Sequence, residues 1–112
     1  MNKLEQLSKY DFHDSLLERM IYDKNNQKVI LEIDFCNWKQ TWYNEADEET
    51  IMISLVFENV TDVIIPSFEL NSDEILNFEM LSDKKVRVVV FNDVDDSSYE
   101  IIINAEFVKI IK

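Results

Sequence analysis

The 112-residue chain contains no glycine, and this absence limits both its turns and its ligand sites. Glycine lets a backbone approach a phosphate closely, so P-loop and dinucleotide-binding fingerprints are excluded. A turn that needs a positive φ must use another residue, and asparagine and aspartate tolerate that geometry best. Both are plentiful here, so we expect them at the tight turns.

The length and composition predict one folded domain. A chain of 112 residues lies within the usual size range of a single domain. Hydrophobic residues make up 46% of it, which is too many for a disordered chain. The sequence contains no repeat, low-complexity tract or linker, so we assign residues 1–112 to a single domain.

The chain is strongly acidic. Lysine and arginine number 11 against 23 for aspartate and glutamate, which gives a formal charge of −12. This average field repels a phosphate backbone and an anionic membrane surface, so we predict neither nucleic-acid nor membrane binding. A basic protein partner would be attracted to the same field. The alternative is that the acidity serves solubility alone.

Cysteine usage and the N-terminal sequence bear on the compartment. Cys36 is the only cysteine, so no intrachain disulfide can form, which is usual in a reducing compartment. Residues 1–15 contain no apolar core of signal-peptide length, and no later run approaches a membrane span. We therefore predict a cytoplasmic protein.

Residues 27–37 carry the clearest secondary-structure signal. Apolar and polar side chains alternate along this segment, which predicts a strand with one buried face. The turn-forming residues 23–26 precede it, so we expect a hairpin with a strand near 17–22. The segment 14–22 also has helical spacing and a capping box, and a helix is the alternative there.

The same alternation predicts further β segments. They cover residues 51–57, 63–65, 85–91 and 98–112. A turn at 59–62 separates the first two, and we expect Pro66 to stop the second. The alternation slips near 104–106, so we expect a bulge or two short strands there.

One short helix is predicted near 72–81. Asn71 and Glu74 have the spacing of a capping box, and apolar residues from Ile75 to Leu81 would cover one face. Sequential strands with short turns usually pair as neighbours. The whole pattern predicts an α+β fold, mainly antiparallel β, with about five to seven strands in a meander or small sandwich.

The candidate catalytic groups are few. His13 is the only histidine, and it could act as a base oriented by Asp11 or Asp14. Cys36 is the only thiol and falls on a predicted strand, where buried cysteines are usually inert. A zinc site would lack the ligand spacing of known motifs. We therefore predict no catalytic residue, metal site or cofactor, and expect His13 and Asp14 to hydrogen-bond the backbone near the first strand.

The predicted connection 37–49 combines large aromatic side chains with carboxylates. Aromatic residues anchor protein interfaces, and acidic neighbours attract a cationic partner. Trp38 directly follows a strand, so we expect it in the core. The predicted contact residues are Trp42, Tyr43, Glu45, Asp47, Glu48 and Glu49. The alternative is that both tryptophans of this segment fold back onto the core.

Three segments together resemble a group of small bacterial single-domain proteins. They read DFHDS at 11–15, VILEIDF at 29–35 and LVFENVTDVII at 55–65. The group has an N-terminal histidine–aspartate–small-residue signature and an F-x-N-V strand end, and it includes uncharacterised families and immunity proteins of polymorphic toxins. The residues that match these two motifs are His13, Asp14, Phe57, Asn59 and Val60.

The resemblance implies an α+β or all-β fold without known enzymatic activity, and a structural role for the matched residues. For the immunity members it implies binding and neutralising a cognate toxin. With the charge and the aromatic-acidic connection, it leads to one hypothesis: an immunity-type inhibitor of a basic toxin, such as a nuclease. The alternatives are a small-ligand or regulatory module with a pocket between sheet and helix, and a metal-dependent enzyme using His13.

Overall fold

The computed structural model describes residues 2–65 and 72–112, which form a predominantly antiparallel β structure. Neighbouring strands are antiparallel throughout the described residues. The strands are β1 (Leu16–Asp23), β2 (Lys28–Cys36), β3 (Thr50–Glu58), β4 (Asp62–Ile64), β5 (Asp73–Ser82), β6 (Lys85–Asn92), β7 (Ser97–Asn104) and β8 (Phe107–Ile111).

The strands form a single sheet in the order β4-β7-β6-β5-β1-β2-β3-β8. Two meanders, β1-β2-β3 and β5-β6-β7, make up most of it, because short turns pair consecutive strands. The meanders meet where β1 pairs with β5, and this pairing covers only Leu16 with Glu74 and Leu17 with Asp73. The sheet is therefore weakly joined at its middle.

The two ends of the sheet lie side by side. β4 follows β3 after residues 59–61, and β8 follows β7 after residues 105–106. Since β3 pairs with β8 and β4 pairs with β7, these two stretches of chain run along each other. The Thr61 amide donates to the Asn104 carbonyl over 2.9 Å at the corner. The sheet consequently folds back on itself and encloses one core.

Alternation along the strands places one face of the sheet inside. β2, β3 and β6 bury every second residue, as expected for strands with one face turned to a core. The fully buried phenylalanines are Phe12, Phe35 and Phe57. Each such ring removed from water contributes about 1.5–3 kcal/mol to stability. The core is therefore the main source of stability of the fold.

The N-terminal segment covers one edge of this core. It forms a 3₁₀ helix over Leu4–Lys9 and buries the side chains of Leu4 and Leu7. The Val108 amide donates to the Asn2 carbonyl, and the Gln6 side chain donates to the Val108 carbonyl, both over 2.9 Å. These bonds satisfy the amide and carbonyl of Val108 on the outer edge of β8.

The turns show how the chain manages without glycine. Five described residues have a positive φ: Asp14, Gln27, Asn59, Ser72 and Asp96. Three of the five are aspartate or asparagine, as predicted. Gln27 is held by tertiary contact instead, since its carbonyl accepts a 2.9 Å hydrogen bond from the Val60 amide. Each such residue costs about 1 kcal/mol in backbone strain, which the surrounding structure must offset.

The mainly antiparallel β prediction is confirmed. Within the segment 14–22, residues from Leu16 onward belong to strand β1, which forms a hairpin with β2, and the alternative helix is not formed. Residues 105–106 interrupt β7 and β8, where the alternation slips. The described residues contain eight strands, more than the predicted five to seven. Pro66, which was expected to stop β4, lies outside the described residues.

The helix predicted near 72–81 is wrong, because this segment is strand β5 and pairs with β6. Register shifts between Ile75 and Asn77, and between Met80 and Ser82, insert extra residues into the strand. The first shift breaks the alternation, so that Ile75, Phe78 and Met80 pack on the core although the step from Ile75 to Phe78 is three residues. Asn71 of the proposed capping box lies outside the described residues. No helix in the described residues is long and apolar enough to span a membrane.

Two substitutions on β3 test the assignment of its faces. Phe57 is fully buried, so Phe57→Ala should lower the free energy of unfolding by about 3–5 kcal/mol. Met52 is 54% exposed on the other face, so Met52→Ala should change it by less than about 1 kcal/mol. Urea unfolding followed by circular dichroism measures both. Equal losses would contradict the assignment.

Candidate functional site

The connection between β2 and β3, residues 37–49, is a surface loop tied at its base. It opens with a 3₁₀ helix over Asn37–Lys39. The buried Asn37 side chain donates to the Glu48 carbonyl over 2.9 Å, and the Trp38 amide donates to the Glu49 carbonyl over 3.0 Å. These two bonds hold the beginning and end of the loop together. The residues between them therefore form one closed surface loop.

The middle of the loop is ordered by its own polar groups. The Asp47 amide donates to the Asn44 carbonyl over 2.8 Å, and the Asn44 amide donates to the Asp47 carboxylate over 3.2 Å. The Tyr43 hydroxyl donates to the Asp47 carbonyl over 3.4 Å. The two bonds between Asn44 and Asp47 close a turn in which the Asp47 side chain caps the Asn44 amide. The acidic part of the loop therefore has a defined conformation.

The four carboxylates of the loop all face solvent. They are Glu45, Asp47, Glu48 and Glu49. None has a basic group within ion-pair distance in the described part of the chain, whereas Glu58, Glu79 and Glu100 each pair with a lysine or arginine. The loop thus carries four negative charges that form no ion pair within residues 2–65 and 72–112.

Both tryptophans of the loop are substantially exposed. Trp38 is 52% exposed, so the prediction that it belongs to the core is wrong. The 3₁₀ helix that follows β2 buries its first side chain, Asn37, and turns the next side chain, Trp38, outward. Trp42 is 43% exposed and packs edge-on against Tyr10, with ring centroids 5.2 Å apart. Tyr43 is half-buried, so Trp38 and Trp42 are the more accessible aromatics.

Gln40 fastens the loop to the N-terminal segment. Its side-chain amide donates to the carbonyls of Asp11 and Cys36 over 2.8 and 2.9 Å, and its oxygen accepts from the Asp11 amide over 2.9 Å. Gln40 is only 6% exposed. A single buried side chain therefore satisfies three backbone groups of Asp11 and Cys36, and sequence reasoning missed it.

Ser15 joins three strands at the same end of the sheet. Its hydroxyl is fully buried and accepts a hydrogen bond from the Cys36 amide over 2.9 Å. Its carbonyl accepts from the Ile75 amide over 2.8 Å, and the Asp14 amide donates to the Ile75 carbonyl over 3.0 Å. Ser15, the small residue of the DFHDS segment, is thus the residue of that motif that joins the strands. The presence of a small residue at this position of the motif was the sequence signal for that role.

His13 lies on the surface and not in a pocket. Its side chain is 54% exposed, and its Nδ1 atom lies 3.2 Å from the Asp14 carboxylate. The Lys39 ammonium donates to the His13 carbonyl over 3.1 Å and to the Asp14 carboxylate over 3.2 Å. Lys39 is the more buried partner, with a side chain 17% exposed. The lysine therefore links the loop to the DFHDS segment, and the imidazole is peripheral.

Two carboxyl groups share a hydrogen bond beside this lysine. The bond between Asp14 and Glu74 lowers the pKa of Asp14, and the Lys39 ammonium lowers it further. The same bond raises the pKa of Glu74, and partial burial and the Asp14 charge add to that rise. The two pKa values are thus shifted apart, because Asp14 has the lysine as its counter-ion and Glu74 does not.

The remaining motif residues lie at the opposite end of β3 from the loop. Phe57 is in the core, Asn59 makes the turn with a positive φ, and Val60 is buried. They surround the corner where the sheet folds back. The structure therefore brings His13 and Asp14 together with the loop through Lys39, but it does not bring Phe57, Asn59 and Val60 to the same site.

The described residues offer little for metal or small-ligand chemistry. No group of three or more histidine, cysteine, aspartate or glutamate side chains within 2–65 and 72–112 could hold a metal ion. Cys36 is a buried free thiol. Two open clefts run along the N-terminal 3₁₀ helix, and neither is lined by residues of the loop. The accessible chemistry of the loop is that of exposed indole rings and carboxylates.

No protein-family model, curated protein or solved structure matches this chain. The resemblance to immunity proteins stays a prediction drawn from short motifs.

Gln40 and His13 should differ sharply in their effect on stability. Gln40→Ala leaves three backbone groups without partners, so we expect the free energy of unfolding to fall by about 2–4 kcal/mol. His13→Ala removes only exposed contacts and should cost less than about 0.5 kcal/mol. Thermal and urea unfolding at pH 7 measure both. A larger loss for His13→Ala would show that the imidazole has a structural role after all.

Replacing Glu74 tests its interaction with Asp14, because that interaction makes the free energy of unfolding depend on pH. The folded pKa of Glu74 is raised, so its contribution to stability is present when it is protonated and is lost as the pH rises through that pKa. Glu74→Gln can still donate to Asp14 and carries no charge. We expect the variant to be more stable than the parent at pH 7 and similar to it near pH 3.

The matched control is Glu106→Gln, an exposed glutamate outside this pair. Urea midpoints measured from pH 3 to pH 7 give the comparison for all three proteins. A difference between Glu74→Gln and the parent that does not grow with pH would contradict the carboxyl pair.

Proposed function

We propose that the protein is an acidic interaction domain that binds a basic protein through the loop 37–49. The observation that carries this is the exposure of Trp38 and Trp42 beside four unneutralised carboxylates on a loop tied at its base. Tryptophan is among the residues that contribute most to binding at protein interfaces. Unpaired acidic side chains around it attract a cationic surface and speed its association.

The internal bonds of the loop favour binding. Association costs free energy when a flexible loop must be ordered on contact. The turn closed by Asn44 and Asp47, and the base held by Asn37, supply that order before a partner arrives. The formal charge of −12 extends the attraction beyond the loop. A basic partner therefore meets a surface that is already shaped and charged.

The specific form of the proposal is an immunity-type inhibitor of a basic toxin. Occlusion would be its mechanism: the loop carboxylates occupy cationic sites that serve phosphates in a nuclease, and the tryptophans fill the adjoining surface. Tyr43 is half-buried and bonded within the loop, so it supports Trp42 in this scheme. The cytoplasm is the proposed location, since the lone cysteine fits a reducing compartment.

The toxin form is tested with the products of the coding sequences adjacent to this one. Each product is expressed alone and together with this protein, and cell growth and binding are measured. One neighbour should arrest growth alone, bind this protein and lose its toxicity on coexpression. If no neighbour is both toxic and neutralised, the immunity form of the proposal is rejected.

The loop carboxylates should control the association rate. Glu45→Gln, Glu48→Gln and Glu49→Gln together remove three charges and leave Asp47 to close its turn. We expect slower association with the neutralised partner and a weaker dependence of the rate on salt, because the steering charges are lost. Stopped-flow or surface-based kinetics at several salt concentrations measure this.

The matched control removes the same charge elsewhere. Asp93→Asn, Asp95→Asn and Asp96→Asn lie in the exposed turn between β6 and β7, and asparagine keeps the positive φ that Asp96 requires. This variant should associate nearly as fast as the parent. Equal slowing by both variants would assign the effect to net charge and would remove the loop from the interface.

A further inference from the structure

Tyr10 and Trp42 form a two-walled aromatic corner at the base of the loop. Their ring centroids are 5.2 Å apart and their planes meet at 76°. Tyr10 also packs against Phe12 and Phe35 of the core, which fixes one wall. Trp42 is 43% exposed, so the other wall borders solvent. The corner is thus rigid on its inner side and accessible on its outer side.

A cation of the chain already lies in this corner. The Lys112 ammonium is 5.6 Å from the Tyr10 ring centroid and 5.3 Å from the Trp42 ring centroid. Both distances are within the range of a cation–π interaction. Lys112 is exposed and has no carboxylate within ion-pair distance among residues 2–65 and 72–112. Within those residues, the Lys112 ammonium is therefore held by the two aromatic rings and not by an ion pair.

The geometry points to the aromatic corner as a binding site for a lysine or arginine side chain of the basic partner, which displaces Lys112. This inference rests on the proposed function and names the contact that the partner makes. An exposed cation–π contact is weak, so an incoming cation can replace the internal one at little cost. Until then Lys112 keeps the ring faces covered.

Two properties of the site favour a cation over an apolar anchor. The ring faces are negative, and the loop that supplies Trp42 carries four carboxylates without counter-ions. Arginine should bind more tightly than lysine, because its planar guanidinium stacks on an aromatic face and is weakly hydrated. Because Tyr10 and Trp42 pack edge-on, one guanidinium group can contact both rings at once.

The first experiment measures binding at the corner directly, with a blocked tetra-arginine peptide as the probe. Trp38→Phe leaves Trp42 as the only tryptophan, and Trp42→Phe leaves Trp38 as a matched reporter outside the corner. The peptide should change the fluorescence of the Trp38→Phe protein with saturation, and that of the Trp42→Phe protein much less. A blocked tetra-glutamate peptide should change neither. Equal responses of both reporters to tetra-arginine would overturn the proposal.

The second experiment removes the internal cation. Lys112→Met keeps an apolar side chain against the rings and abolishes the competing charge. The affinity for tetra-arginine should rise by roughly two- to fivefold, the worth of one exposed cation–π contact. Lys24→Met removes the same charge from the turn between β1 and β2 and should raise the affinity less. An effect of Lys112→Met no larger than that of Lys24→Met would overturn the displacement of Lys112.

These measurements separate the corner from the proposed function. If the peptide binds at Trp42 but no basic partner is neutralised, the cation site stands and the inhibitor function fails. If a partner binds through the loop carboxylates but its affinity is the same for Trp42→Leu, the function stands and the corner is rejected. The fold of Trp42→Leu is checked by its urea midpoint against that of Trp38→Leu.

Discussion

The buried hydroxyl of Ser15 accepts a hydrogen bond from the Cys36 amide at the place where β1, β2 and β5 meet. The geometry of this end of the sheet depends on that bond. The pairing of β1 with β5 covers only two positions, and two backbone bonds at Ile75, to the Ser15 carbonyl and from the Asp14 amide, extend this link between the meanders. The Ser15 hydroxyl joins the start of β1 to β2, and Gln40 adds three bonds to the backbone of Asp11 and Cys36. Buried polar groups satisfied in this way are costly to disturb, which makes the junction rigid.

The loop inherits its geometry from this junction. Gln40 fixes the loop to the N-terminal segment, and Lys39 crosses from the loop to Asp14. The N-terminal segment in turn supplies Tyr10, which positions Trp42. The candidate interface is thus built on rigid supports, although it consists of a loop. Such preorganisation reduces the entropy lost on binding and concentrates the affinity in a few aromatic contacts.

Most strands could be predicted from period-two alternation, because one face of the sheet is buried. The segment of β5 could not, since a register shift between Ile75 and Asn77 breaks the alternation, so that Ile75, Phe78 and Met80 face the core while Leu76 is exposed. The loop was identifiable from its composition, but the exposure of Trp38 depends on a 3₁₀ turn that the local sequence does not specify. The corner of Tyr10, Trp42 and Lys112 joins three distant parts of the chain, so only the tertiary structure reveals it.

The irregular strands beside the β1–β5 junction also affect how copies of the chain meet. Beyond their two paired positions, β1 and β5 do not pair with each other within the described residues, and each strand has at least one register shift in its pairing with its other neighbour. A bulge breaks the even spacing of amide and carbonyl groups that an incoming strand must match. Charged residues such as Arg19 and Glu79 lie along the same strands. These strands are therefore poor templates for pairing with a strand of another copy. The incomplete pairing of β1 with β5 consequently adds little tendency to aggregate.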